Sequence, residues 1–69
     1  MTYLKAWRKF YGLTQQQLAD RIKRDRSLVA RWESAGAKMQ IDSLQLYAGA
    51  LGVDVADLFR PPPALRARA

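Results

Sequence analysis

Sixty-nine residues carry twelve Lys and Arg against six Asp and Glu, a net charge of +6, and a chain this short forms one small domain that buries only about 60% of its unfolded surface. There is no cysteine and no histidine. That excludes disulfides, Cys/His metal sites and histidine acid–base chemistry, calls for no cofactor, and fits a reducing, cytoplasmic setting.

The N-terminus MTYLKAWRKF lacks the apolar run and small-residue cleavage site of a secretory signal, and no segment approaches the roughly 18 apolar residues of a membrane span. A soluble, non-secreted chain is expected. Its excess positive charge favours a polyanion, either nucleic acid or an anionic membrane surface.

Helix starts and stops punctuate the whole chain. Thr2 is an N-cap candidate for a helix over 3 to 11 that stops at Gly12. Thr14 with Gln17 has the spacing of a capping box and predicts a helix over 15 to 22. Asp25 opens a third over 26 to 34, with Gly36 as its stop. Asp42 with Gln45 predicts a fourth over 43 to 51 closed by Gly52, and Asp54 a fifth over 55 to 59. No segment alternates apolar and polar residues with β-branched enrichment, so strands are not expected and the fold class is all-α. Pro61, Pro62 and Pro63 read as an extended spacer, dividing the chain into a folded domain over 1–60 and a Pro-rich flexible tail over 61–69.

At 100° per residue, the first helix places Arg8 on the apolar arc of Leu4, Trp7 and Tyr11. A desolvated guanidinium needs an anion, and Glu33, on the border of the third helix's inward arc, is the acid placed to supply it. An Arg8–Glu33 pair is therefore predicted; the alternative is that Arg8 snorkels to solvent. On the second helix Gln15, Leu18, Ala19 and Ile22 share an arc, with Ala19 small enough to let two helices cross closely.

The third helix turns Leu28, Val29 and Trp32 inward and leaves Arg26, Ser27, Ala30, Arg31 and Ser34 on the opposite arc. Small Ala30 and the serines allow close backbone approach to a surface while two arginines reach past it, which is what entry into a DNA major groove requires. The alternative is a solvated face that carries two arginines. Gln15, Lys23, Arg24, Ser34 and Lys38 are the neighbouring phosphate-binding candidates. Leu44, Tyr47, Ala48 and Leu51 form the fourth helix's core stripe. Leu46 falls outside it and, with Val55 or Phe59, is a candidate dimer contact.

The series Leu4, Arg8, Gly12, Leu13, Thr14, Gln15, Leu18, Ala19, Val29, Arg31, Trp32, Glu33, Leu44, Ala48, Leu51, Gly52, Val53, Leu58 and Phe59 resembles the Cro/C1-type (xenobiotic response element type) helix-turn-helix family over residues 4 to 59. The resemblance implies a compact five-helix bundle of the lambda repressor-like kind, found in transcriptional regulators that bind operator DNA as dimers. It assigns base-edge contacts to Arg26, Ser27 and Arg31, a thymine-methyl contact to Ala30, and phosphate contacts to Gln15 and Lys38. Family members commonly pair the residues matching Arg8 and Glu33. This chain departs from the pattern in the turn, where Lys23 and Arg24 replace a glycine and an apolar residue.

These readings converge on a sequence-specific, double-stranded DNA-binding transcriptional regulator, a repressor acting as a homodimer. One alternative is an antitoxin that also neutralises a toxin partner protein. Another, of a different class, is a helical protein-interaction module built around Leu46 and the 53 to 59 segment. A membrane-surface role would need one long, continuous amphipathic helix, and an enzyme would need catalytic groups that caps and a core ion pair do not provide.

Overall fold

The computed structural model describes residues 2–35 and 39–63, with only the backbone of Ala35. Four α-helices follow one another: α1 Leu4–Phe10, α2 Gln15–Ile22, α3 Arg26–Ala35 and α4 Ile41–Leu51, then a 3-10 turn Val55–Phe59. No strand occurs among the described residues.

The fifth helix is thus corrected to a 3-10 turn. Asp54 and Asp57 form a reciprocal capping box at its start, Asp57 N–H donates to the Asp54 carbonyl at 3.0 Å, and Arg60 N–H to the Asp57 carbonyl at 3.1 Å. Pro61 follows, and the residue before a proline is driven to extended backbone, as Arg60 shows at φ −134°. Six residues between that cap and that proline, the last already extended, leave no room for a sustained α-helical ladder.

Two helix starts also differ from expectation. Thr2 does not cap α1; Tyr3 stands at the N-cap without a side-chain cap, and its N–H instead donates to the Leu58 carbonyl at 2.8 Å across the fold. Asp42 does not cap α4 either. Gln40, extended at ψ 158°, precedes the first turn, and Asp42 lies within it, where a carboxylate favours the helix dipole.

Three helix ends close in the same way. At α1, Gly12 N–H bonds the Lys9 carbonyl at 2.9 Å and Leu13 N–H the Arg8 carbonyl at 3.1 Å, the paired bonds of a Schellman motif. Gly52 and Val53 repeat the pattern after α4, and Lys23 and Arg24 repeat it after α2. Gly12 and Gly52 have φ of 71° and 75°, and Lys23 has φ 57°, the one positive φ at a non-glycine among the described residues.

Leu4, Trp7, Leu18, Ala19, Val29, Trp32, Leu44, Tyr47, Ala48, Leu51 and Leu58 make a single buried core, against which Leu13, Ile22, Leu28 and Val53 pack. Ala19 is fully buried, consistent with close packing of α2 on α3. Tyr11 is corrected: it caps the end of α1 and is 46% exposed, because that helix ends one residue earlier than its apolar spacing implies. The packed part of the chain continues past Arg60. Trp7 Nε1 donates to the Arg60 carbonyl at 2.8 Å, and Pro62 is fully buried.

Candidate nucleic-acid interface

The outer face of α3 is held in place from beneath by a buried polar cluster. Arg8 Nε donates to Glu33 Oε2 at 2.8 Å and Arg8 Nη2 to Glu33 Oε1 at 3.1 Å, a two-point contact that fixes orientation as well as charge. The two side chains are only 7% and 4% exposed. Arg8 Nη1 donates in addition to the Leu13 carbonyl at 2.7 Å, so one guanidinium joins α1, the turn that follows it and α3.

Two further donors complete the carboxylate. Tyr47 Oη lies 2.7 Å from Glu33 Oε2 and 3.0 Å from the Leu4 carbonyl, and Gln15 Nε2 donates to Glu33 Oε1 at 3.2 Å. Burial alone would push the Glu33 carboxyl up, but the hydrogen bonds from Arg8, Tyr47 and Gln15 and the Arg8 charge outweigh it and hold it below its usual range. The Arg8 guanidinium is raised, first by its hydrogen bond to Glu33. Burial, then the neighbouring carboxylate, pushes the Tyr47 hydroxyl well above its ordinary value.

Neither Tyr47 nor Gln15 was assigned to this cluster from the sequence. A tyrosine on a core stripe carries the signal in principle, since a buried hydroxyl needs a partner. Helical periodicity cannot say which partner it meets.

Above the cluster, Arg26, Ser27, Arg31 and Ser34 are exposed and Ala30 is half-buried. They occupy the side of α3 opposite Val29 and Trp32, both buried in the core. Asp25 begins the helix: its carboxylate accepts from Ser27 N–H at 3.0 Å and from the Ser27 hydroxyl. Those two bonds lower the Asp25 carboxyl. The hydroxyl proton of Ser27 is therefore engaged, leaving its oxygen lone pairs to meet a donor.

Half-buried Gln15 is shared between two tasks. Its amide nitrogen anchors on Glu33, while its oxygen accepts from Arg26 Nη1 at 3.5 Å. The geometry thus links the buried ion pair to the first residue of α3. Lys23 and Arg24 are exposed in the turn, with the Arg24 guanidinium folded back to the Lys23 carbonyl at 3.3 Å. Arg21, next to that turn in sequence, donates to the Ala50 carbonyl at 2.9 Å and ties α2 to the end of α4. Lys38 and the Gly36 stop lie outside the described residues.

Leu46 and Phe59 are 37% and 49% exposed, and Val55 is half-buried. Among the described residues no group of His, Cys, Asp and Glu is placed to hold a metal ion, and no helix is long and apolar enough to cross a membrane.

Two helices crossing at a buried alanine, the second presenting arginines and small residues outward, define a helix-turn-helix DNA-binding regulator. The chain belongs to the Cro/C1-type helix-turn-helix family, whose model, described as Helix-turn-helix, matches residues 4–58. Among solved structures it is similar to a protein described as hypothetical transcription factor NHTF from Neisseria, with 25% identity, a TM-score of 0.75, and coverage of 97% of this chain and 77% of that one. No curated protein matches the sequence.

Proposed function

We propose that this protein is a sequence-specific transcriptional repressor that binds a pseudo-palindromic site in double-stranded DNA as a symmetric homodimer. The observation that carries the reading is the outer face of α3, where exposed Arg26, Ser27 and Arg31 flank small Ala30 above a buried, fully hydrogen-bonded ion pair. Such a helix can lie close in a major groove and keep its side chains in register while they reach base edges. The neighbour's description as a hypothetical transcription factor agrees with this.

In this reading Arg26 and Arg31 pair bidentately with guanine O6 and N7, the Ser27 hydroxyl oxygen accepts at a base edge, and Ala30 meets a thymine methyl. Gln15, Lys23, Arg24, Ser34 and Lys38 hold the phosphate backbone and set the register. Leu46, Val55 and Phe59 form the contact between the two copies, which sets the recognition helices about 34 Å apart in successive major grooves.

The test is selection of bound duplexes from a random pool by the full chain. Enrichment of an inverted repeat with half-sites one helical turn apart is expected, with guanines among the preferred bases. A pool that keeps its starting composition while still binding in a salt-dependent way would reduce the reading to non-specific DNA association.

A further inference from the structure

The first helix offers a surface that the reading above leaves unused. Lys5 and Lys9 stand four residues apart on α1, hence on one face, and both are exposed. Together with Thr14, Gln15 and Arg26 they line a groove of about 620 Å³. Arg8 also borders the groove, but its charge is matched by Glu33 beneath.

The charged side chains that line the groove are all cationic. Among the described residues the ion pairs are Arg8–Glu33 and Arg60–Asp57, so Lys5, Lys9 and Arg26 belong to none. No acid occurs anywhere in the chain before Asp20. Like charges gathered around one concavity repel each other unless an anion joins them, and Arg26 belongs both to this groove and to the outward end of α3.

We propose that Lys5 and Lys9 form a track for the phosphate backbone of duplex DNA that extends the interface along α1 and ends where Arg26 begins the base-reading face. The proposal rests on the DNA-binding reading above. Lysine ammonium groups on flexible stems act as point charges without the planar fork that reads guanine, so the added contact is independent of sequence. It raises affinity on every duplex and leaves discrimination to α3.

The experiment measures affinity of the full chain for a short mixed-sequence duplex across a salt series. The chain is compared with Lys5→Ala, Lys9→Ala, the double variant and Arg60→Ala, an exposed cation outside the groove. Each phosphate-bound lysine contributes about 0.9 to the salt slope, so the double variant should lose about 1.8, and the wild-type advantage should shrink about twelvefold between 50 and 200 mM salt. Arg60→Ala should keep the wild-type slope, and Lys5→Arg combined with Lys9→Arg should restore it. Unchanged thermal unfolding, expected for exposed positions, secures the comparison.

The track is overturned if wild-type protein binds duplex but the double variant keeps its slope, or if Arg60→Ala flattens the slope as much as either lysine variant. A wild-type chain that binds no duplex at all overturns the DNA-binding reading itself. If inorganic phosphate then shifts the Lys5 and Lys9 amide resonances, the groove is a small-anion site and the duplex track is wrong.

Discussion

Glu33 is the residue on which the interface and the fold depend together. Its carboxylate is 4% exposed and receives Arg8, Tyr47 and Gln15, so removing a partner leaves a buried charge uncompensated. Arg8→Ala should cost about 3–5 kcal/mol in denaturant unfolding. Because the folded Glu33 carboxyl lies below its unfolded value, its stabilisation is fully present above that unfolded value, near 4.3. It is lost as pH falls through the folded one. Wild-type melting temperature should therefore drop on acidification below about pH 4, and Glu33→Gln should start lower and flatten that part of the profile. An equally steep acid limb in Glu33→Gln would assign the lability to other carboxylates. On the outer face, Arg31→Ala should cost roughly 1–3 kcal/mol on the selected site and relax preference at one base position. Uniform weakening on all duplexes would instead make Arg31 a phosphate contact.

At the scale of the element, the turn between α2 and α3 is where local preference and fold disagree. Gly12 and Gly52 take the left-handed position after α1 and α4, but after α2 that position falls to Lys23, at φ 57°. A left-handed lysine costs on the order of 1 kcal/mol relative to glycine. Lys23→Gly should accordingly raise stability by up to about 1 kcal/mol in urea unfolding while weakening DNA binding at low salt, since a backbone-contacting charge is lost. If affinity and salt slope both stay at the wild-type value, Lys23 does not meet phosphate. The strain persists because Arg24 N–H closes on the Ala19 carbonyl at 3.0 Å, and Ala19 is buried against α3, so tertiary packing fixes the turn whatever residue occupies it.

At the scale of the whole molecule the proposed homodimer is what sets the spacing of the two recognition helices. Leu46 and Phe59 are large, apolar and exposed, and Val55 is half-buried. Ordinary monomers also expose single apolar residues, so the patch is tested by what its loss does. Leu46→Glu with Phe59→Ser should shift sedimentation equilibrium toward monomer and weaken binding to the inverted repeat, while binding to a single half-site stays near wild type. Unchanged sedimentation and operator affinity would place the contact elsewhere.

Much of this was legible in the sequence because it is local or periodic. Thr14 and Gln17 cap α2 reciprocally, Gly12 and Gly52 end their helices, and the spacing of Leu44, Tyr47, Ala48 and Leu51 marks one buried face; each follows from backbone sterics and a 3.6-residue period, which need no knowledge of the rest of the fold. Periodicity also puts Arg8 on the apolar arc of α1 and Glu33 on the border of the inward arc of α3, and their pairing follows because a charge on an apolar stripe demands an opposite charge somewhere in the core. What only the tertiary structure decided lies between elements. Tyr3 gives its N–H to Leu58 and stands at the N-cap position itself; Tyr47 and Gln15 converge on Glu33; Pro62 is buried where three prolines read as a spacer; and Lys5 and Lys9 come to share a groove with Arg26. Periodicity fixes which way a side chain faces on its own helix, whereas the partner it meets depends on how helices distant in sequence are crossed and packed.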